Sequence, residues 1–152
     1  MNNLTLTLFG LTIQSWYTSI NLPFWAPPVW LFGVAWGIIY PLMAVTFCYV
    51  FWKSFIKHEW RRYVGAVFAL NLVFNIIYSA GTYMVFSGNQ GINDIDQYYW
   101  PAAFVISVVL VTIPAMMMAT WERAKWVALL QIPYLLWVTT ATTLQFTINF
   151  TN

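Results

Sequence analysis

The sequence predicts an all-α membrane protein, with its helices packed as one transmembrane bundle over residues 1–152. Hydrophobic residues make up 61% of the chain and charged residues only 7%, whereas soluble domains carry about 25% charged residues. The charges are also confined to three short stretches. The uncharged stretches between them are long enough to cross a lipid bilayer, which favours lipid as the solvent of this fold.

Four uncharged segments predict membrane-spanning helices, since a spanning helix needs roughly 20 apolar residues. Their apolar runs are continuous rather than alternating, which favours helices over a β-barrel. Pro41, Pro114 and Pro133 fall inside these segments. Proline has no amide donor, so each is expected to bend its helix. The four predicted spans are residues 29–52, 63–86, 98–121 and 126–150.

The N-terminal part of the chain predicts a fifth, shorter helix. Residues 4–13 are apolar but fall short of the roughly 20 residues that cross a bilayer. The stretch 4–15 is therefore interpreted as a short or tilted first helix, as an interfacial stub, or as the remnant of a longer, truncated helix. The stretch from Thr18 to Pro28 contains Pro23 and Pro27 as well as Pro28. These prolines block regular helix, so a structured loop is expected there.

The basic residues predict the topology. All six Lys and Arg lie in the loops 53–62 and 122–125, which are separated by two spans and therefore share one side of the membrane. The opposite loop, residues 87–97, carries Asp94 and Asp96 and no basic residue. The positive-inside rule places the two basic loops in the cytoplasm.

The charges that are missing exclude several functions. No predicted span contains Asp, Glu, Lys, Arg or His, which argues against an ion-coupled transporter or proton pump. It also removes the usual general acid–base catalysts from any buried site. The formal net charge of +2 is too small for a nucleic-acid surface. Cys48 is the only cysteine, so no cysteine metal motif exists and no metal site is predicted.

Aromatic and amide residues recur at helical spacing on three of the predicted helices, so each set shares one face. One interpretation is helix packing, with the amides bonding to neighbouring helices. The chain would then be a non-catalytic scaffold or regulatory subunit with a packed aromatic core. The other is an aromatic cavity for a flat apolar ligand. The three sets are Phe32, Trp36, Tyr40 and Met43; Asn71, Asn75 and Tyr78; and Tyr134, Trp137, Ala141 and Leu144.

Two pairs of small residues four apart predict close helix contacts. These are Gly33 with Gly37 and Gly65 with Ala69. Such pairs let helix backbones approach closely, either within a bundle or between subunits. A homodimer is therefore one arrangement that they allow.

Three ordered motifs resemble the TspO/translocator protein family, also called the tryptophan-rich sensory protein or peripheral benzodiazepine receptor family. The first runs without a gap from Trp16 to Lys53. The second is Leu70-Asn71 with Phe74-Asn75, and the third is Ile132 to Trp137 followed by Ala141 to Leu144. The first motif contains Trp16-Tyr17, Pro23, Trp25, Pro27-Pro28, Trp30, Gly33, Trp36-Gly37, Tyr40 and Met43.

The resemblance implies a five-helix bundle, often dimeric, with a cavity closed by its first loop. It also implies noncovalent binding of a tetrapyrrole, protoporphyrin IX or haem, in sensing, transport or scavenging. An alternative implied activity is the light- and oxygen-dependent degradation of porphyrin, for which Trp16, Trp36 and Trp137 are the candidates. The implied ligand-binding residues are Tyr17, Pro27, Trp36, Tyr40, Asn71, Tyr78, Trp137, Ala141 and Leu144.

The chain departs from the family pattern in three places. Its N-terminus is about one helix shorter. Phe146 and Phe150 stand where the family's cholesterol-recognition stretch has Tyr and Arg, so sterol binding through that stretch is not expected. Val105 stands where an acidic residue is common, so any role of that carboxylate is lost. The lack of an evident targeting segment favours a bacterial cell envelope.

Overall fold

The computed structural model describes residues 21–86 and 95–151, and within those ranges all regular structure is helical. The predicted short helix at residues 4–15 lies outside them, so a fifth spanning helix stays a prediction. A π-helical turn, Trp52–Ile56, directly follows the first helix below. The α-helices are α1 Val29–Phe51, α2 Arg62–Phe86, α3 Ile95–Trp121, α4 Lys125–Leu130 and α5 Ile132–Thr151.

Four helical segments are long and apolar enough to cross a membrane, which confirms an integral membrane protein. Large apolar side chains cover their outer surfaces, where lipid would be the solvent. Val111 is 71% exposed and Met118 is 79% exposed, both on α3. The four segments are Val29–Ile56, Arg62–Gly81, Trp100–Trp121 and Lys125–Thr151.

The last of these segments is interrupted at Gln131, between α4 and α5. Pro133 has no amide hydrogen to donate to the carbonyl of Leu129, so the regular hydrogen-bond ladder fails there. Two residues earlier, Gln131 N makes a tighter bond to Ala128 O, three residues back, at 3.1 Å. The helix therefore breaks beside Pro133, where the sequence predicted a bend, whereas α1 continues through Pro41 and α3 through Pro114.

The helices pack around α3, which lies along α2 and also contacts α4 and α5. α1 completes the described bundle against α2, α4 and α5. The main core contains fully buried side chains from four helices, including Val50, Phe68, Ile113 and Val127. Burying such side chains fixes the relative positions of the helices through close van der Waals contact.

A second, smaller cluster joins the loop before α1 to α5. Leu144 and Ile148 of α5 are buried beneath Leu22, Ala26, Val29 and Phe32. The loop itself closes in a turn, in which Ala26 N donates to Pro23 O at 3.0 Å. This cluster holds the loop segment 21–28 against the end of the bundle.

The connection between α1 and α2 is tightly packed. An ideal Cβ placed on Gly65 would lie 2.5 Å from Phe55 Cε2 and 3.0 Å from Ser54 Cβ. Only a residue without a Cβ allows α2 to approach the π-helical turn this closely. Of the two predicted small pairs, this one therefore mediates an internal contact, whereas Gly33 and Gly37 meet no described atom within 4 Å.

Candidate functional site

The centre of the described bundle is occupied by hydrogen bonds among neutral side chains. Asn71 on α2 is fully buried, and its Nδ2 donates to Thr112 Oγ1 on α3 at 2.8 Å. Tyr134 on α5 donates its hydroxyl to Asn71 Oδ1 at 3.1 Å and accepts from Asn75 Nδ2 at 2.9 Å. Three helices are thus connected by one network of amides and hydroxyls. In lipid such bonds satisfy groups that have no water to bind.

Two further polar contacts connect other helices. Gln131, at the break between α4 and α5, donates from Nε2 to Thr46 Oγ1 on α1 at 2.9 Å. Tyr78 on α2 donates its hydroxyl to Gln145 Oε1 on α5 at 3.3 Å. Asn71, Asn75 and Tyr78, which share the predicted face of α2, therefore bond to neighbouring helices.

An apolar groove lies between α1 and α5, with a volume of about 360 Å³. It is open on one side rather than enclosed. Pro27, at the end of the loop before α1, contributes one of its walls, and Trp137 on α5 contributes the largest side chain. The groove is lined by Pro27, Leu31, Ala35, Ile38, Ile39, Pro133, Leu136, Trp137 and Thr140.

The indole of Trp137 is held in place by an aromatic contact from α1. Phe32 lies edge-on to it, with ring centroids 5.2 Å apart and an interplanar angle of 81°. The Nε1–H of Trp137 is buried and has no acceptor among the described residues. Unpaired buried donors are uncommon in native proteins. Trp137 therefore combines a fixed aromatic ring with an unused donor beside the groove.

The structure brings two of the predicted ligand-binding residues, Pro27 and Trp137, to this groove. Trp36 and Tyr40 do not line it: they stack on each other at 4.9 Å with an interplanar angle of 20°. Asn71 and Tyr78 belong to the polar contacts described above. Their roles in ligand binding stay predictions.

The remaining predicted residues lie elsewhere. Ala141 packs against the main core, and Leu144 is buried in the cluster beneath the loop. Tyr17 and Trp16 lie outside the described residues.

Seven residues of the groove were not predicted, and all but Thr140 are apolar. Those on α1 and α5 recur three or four residues apart, so a helical face was visible in the sequence. Such spacing does not distinguish the groove from the other helix surfaces, because nearly every face of these helices is apolar. The unpredicted residues are Leu31, Ala35, Ile38, Ile39, Pro133, Leu136 and Thr140.

The groove can bind a ligand through complementary shape and apolar contact. None of its lining residues is charged, and none is His, Cys, Met or Tyr. Across the described part of the chain, no three His, Cys, Asp or Glu side chains lie close enough to hold a metal ion. The groove can therefore hold an apolar molecule, but its described walls offer neither an acid–base pair nor a metal ligand set.

Comparison with known proteins agrees with this architecture. The sequence model of the TspO/MBR family matches residues 3–151. The chain is 36% identical to the tryptophan-rich protein TspO of Chlorobaculum tepidum, over 88% of this chain and 78% of that protein. It is 31% identical to a tryptophan-rich sensory protein of Cereibacter sphaeroides, over 88% of this chain and 74% of that one.

An archaeal relative extends the similarity. The tryptophan-rich protein TspO of Archaeoglobus fulgidus is 29% identical over 93% of this chain and 82% of its own length. The family match therefore covers every described helix, including those that form the groove and the central polar network. The resemblance seen in the three sequence motifs is confirmed, and this integral membrane chain belongs to the TspO/MBR family.

Proposed function

We propose that this protein binds a tetrapyrrole, protoporphyrin IX or haem, noncovalently in the groove between α1 and α5, and acts as a sensor, carrier or scavenger of it. The observation that carries the proposal is the apolar groove of about 360 Å³ with Pro27 and Trp137 in its wall. Small-molecule pockets generally measure about 300–1,000 Å³ and are mostly apolar with few polar groups.

The open side of the groove suits a ligand that is dissolved in the bilayer. Ile38 and Leu136 line the groove and are 56% and 64% exposed, so its rim is part of the lipid-facing surface. A flat macrocycle can place one edge against α1 and α5 and leave its other edge in lipid. Entry from the membrane then needs no opening of the bundle.

Trp137 supplies the aromatic contact that a porphyrin would use. Porphyrins present a large π-face, and aromatic rings favour offset-stacked or edge-to-face contacts with such faces. Because Phe32 already packs edge-on against the indole, little side-chain freedom is lost when a ligand docks. A rigid wall of this kind favours binding by lowering its entropic cost.

The lining residues give haem no advantage over the metal-free porphyrin. Haem iron is held in proteins by His, Cys, Met or Tyr, and the groove presents none of these. Haem would therefore bind here only through its macrocycle. Protoporphyrin IX has no iron to coordinate, so it would bind through the same macrocycle contacts. The two tetrapyrroles should therefore bind with similar affinity.

The sensory role in the proposal has support from a relative's name and from the charge distribution. The Cereibacter sphaeroides relative is called a sensory protein. The four predicted spans contain no Asp, Glu, Lys, Arg or His that would couple ligand movement to an ion gradient. The basic turns at residues 53–62 and 122–125 would face the cytoplasm of a bacterial cell.

A groove-filling series tests the proposal. Protoporphyrin IX would be titrated into the purified full-length protein while tryptophan fluorescence is recorded. Ile38→Trp and Ala35→Phe place a ring in the groove and should weaken binding at least tenfold. Ala44→Phe is the matched control, because Ala44 is an exposed α1 residue that does not line the groove.

Each outcome has a clear meaning. Unchanged affinity in the properly folded Ile38→Trp and Ala35→Phe variants would exclude the groove as the site. Loss of binding in Trp36→Ala or Ala141→Phe alone would instead favour the interior cavity that the family resemblance implies. Saturable binding in none of the proteins would favour the scaffold alternative.

A further inference from the structure

One end of the bundle concentrates the basic residues of the chain. We name it the basic end and define it by Lys53, Lys57, Arg61, Arg62, Arg123 and Lys125. It is built from two turns that are distant in sequence, one between α1 and α2 and one between α3 and α4. Tyr49 joins them: its ring lies 5.7 Å from that of Trp60 and 4.9 Å from that of Trp126.

The charges of the basic end are largely unpaired. Its six cations face only two carboxylates, Glu59 and Glu122, which leaves four net positive charges. Glu59 accepts from Lys53, and no other ion pair occurs among the described residues. The five other cations are exposed. A cluster of exposed, unneutralised cations attracts an anionic partner.

Aromatic side chains fix the depth of this cluster in the membrane. Lys53 and Lys57 lie over the ring of Trp52, with Nζ 5.1 Å and 5.6 Å from its centroid. Lys125 lies over Trp121 at 5.8 Å. Tryptophan favours the headgroup level of bilayers, which would place these ammonium groups in the layer of the lipid phosphates.

We propose that the basic end is a binding surface for an anionic phospholipid, whose phosphate lies between the two turns. Arg61, Arg62 and Arg123 supply guanidinium groups, which match phosphate oxygens two at a time. The acyl chains would continue along the outer face below, where Leu129 and Ile132 are 50% and 39% exposed. This surface is independent of the groove between α1 and α5.

The exposed apolar side chains of Leu129 and Ile132 beside the basic end favour a lipid over a free anion. A soluble phosphate ion would gain the charge attraction only, whereas a phospholipid also covers exposed side chains beside the turns. A purely acidic protein segment would gain the charge attraction but would leave the exposed Leu129 side chain uncovered. The cations of the basic end and the exposed apolar side chains beside it therefore together favour a phospholipid.

Native mass spectrometry of the full-length protein in uncharged detergent tests this proposal. Phosphatidylglycerol and phosphatidylcholine with identical acyl chains would be titrated, with inorganic phosphate as a competitor. Phosphatidylglycerol should bind at least tenfold more tightly, and millimolar phosphate should displace little of it. The R61Q/R62Q/R123Q variant should lose this preference, since each cation near an anionic surface contributes about fivefold.

Two further variants guard against misfolding as an explanation. His58→Asn changes the same turn without altering its formal charge, and its lipid preference should match the wild type. Glu122→Gln removes a carboxylate and should strengthen phosphatidylglycerol binding severalfold, which a damaged protein would not do. Equal binding of both lipids by the wild type, or a preference retained by the triple variant, would overturn the proposal. Preference for an acidic peptide over phosphatidylglycerol would also overturn it.

Discussion

The phenol hydroxyl of Tyr134 donates to Asn71 Oδ1 at 3.1 Å, which joins α5 to α2 in the middle of the bundle. The same hydroxyl accepts from Asn75 Nδ2. Tyr134 is 1% exposed and Asn71 is fully buried, so water cannot replace either bond. Removing this one oxygen leaves a buried amide donor and a buried amide acceptor each without a partner.

Tyr134→Phe should therefore destabilise the protein by about 1 kcal/mol, because hydrogen bonds between membrane helices contribute modestly. The measurement is thermal unfolding in detergent, where the midpoint should fall by roughly 2–4 °C. Thr143→Val is the control: its exposed hydroxyl bonds only to Thr139 O of its own helix, so its midpoint should hardly move. Equal midpoints for both variants would show that the network contributes little.

Gly65→Ala and Gly37→Ala should change stability in opposite directions. The added methyl at Gly65 would lie 2.5 Å from Phe55, so that ring must move, and a loss of about 1 kcal/mol is expected. At Gly37 nothing described lies within 4 Å, so alanine should stabilise α1 by up to about 1 kcal/mol through its better helix propensity. Both are measured by thermal unfolding. Destabilisation by Gly37→Ala would indicate that a further helix or a second subunit packs there.

Haem and protoporphyrin IX should bind with affinities within about threefold of each other, because the groove presents no axial ligand for iron. The absorption spectrum of bound haem should lack the Soret shift of an imidazole or thiolate complex. Leu136→His places an imidazole on the rim of the groove and should create that shift. A ligated haem spectrum in the wild type would contradict the proposed position of the macrocycle.

Trp137→Leu should weaken protoporphyrin IX binding by up to about tenfold, since it removes the aromatic contact. Trp36→Leu is the matched change in a tryptophan that lies outside the groove and should alter the affinity less than twofold. Titrations followed by porphyrin fluorescence compare the two. A larger loss from Trp36→Leu would place the ligand beside the Trp36–Tyr40 pair instead.

The sequence predicted the described spans well because charged residues and prolines mark many of their ends. The charged stretches 53–62 and 122–125 coincide with the two turns between helices. Lys53 lies in the π-helical turn, and Arg62 and Lys125 are the first residues of α2 and α4. Pro133 predicted a bend rather than the break at Gln131, since Pro41 and Pro114 have the same chemistry and their helices continue. The π-helical turn had no comparable signal, since it depends on how α2 packs against Phe55.

The site was harder to predict because polarity, not shape, is visible in a sequence. The sequence places Asn71 and Tyr134 on two helical faces that predict either helix packing or a cavity, and in the structure they hydrogen-bond to each other. Ala35 and Ile38 line the groove, yet they look like any other lipid-facing residues. Which of the interior and groove residues contact a ligand, and whether Trp16, Trp36 and Trp137 support photochemistry, stay predictions.

The hydrogen bonds between helices around Asn71 are made by neutral amides and hydroxyls. No elementary charge sits within the described spans apart from Lys53 and Lys125 and the N-terminal Arg62, which lie at helix ends. A transmembrane voltage exerts force on charge and exerts almost none on groups of this kind. The packing of these helices should therefore be the same in an energised membrane as in a depolarised one, which leaves ligand and lipid as the agents able to shift it.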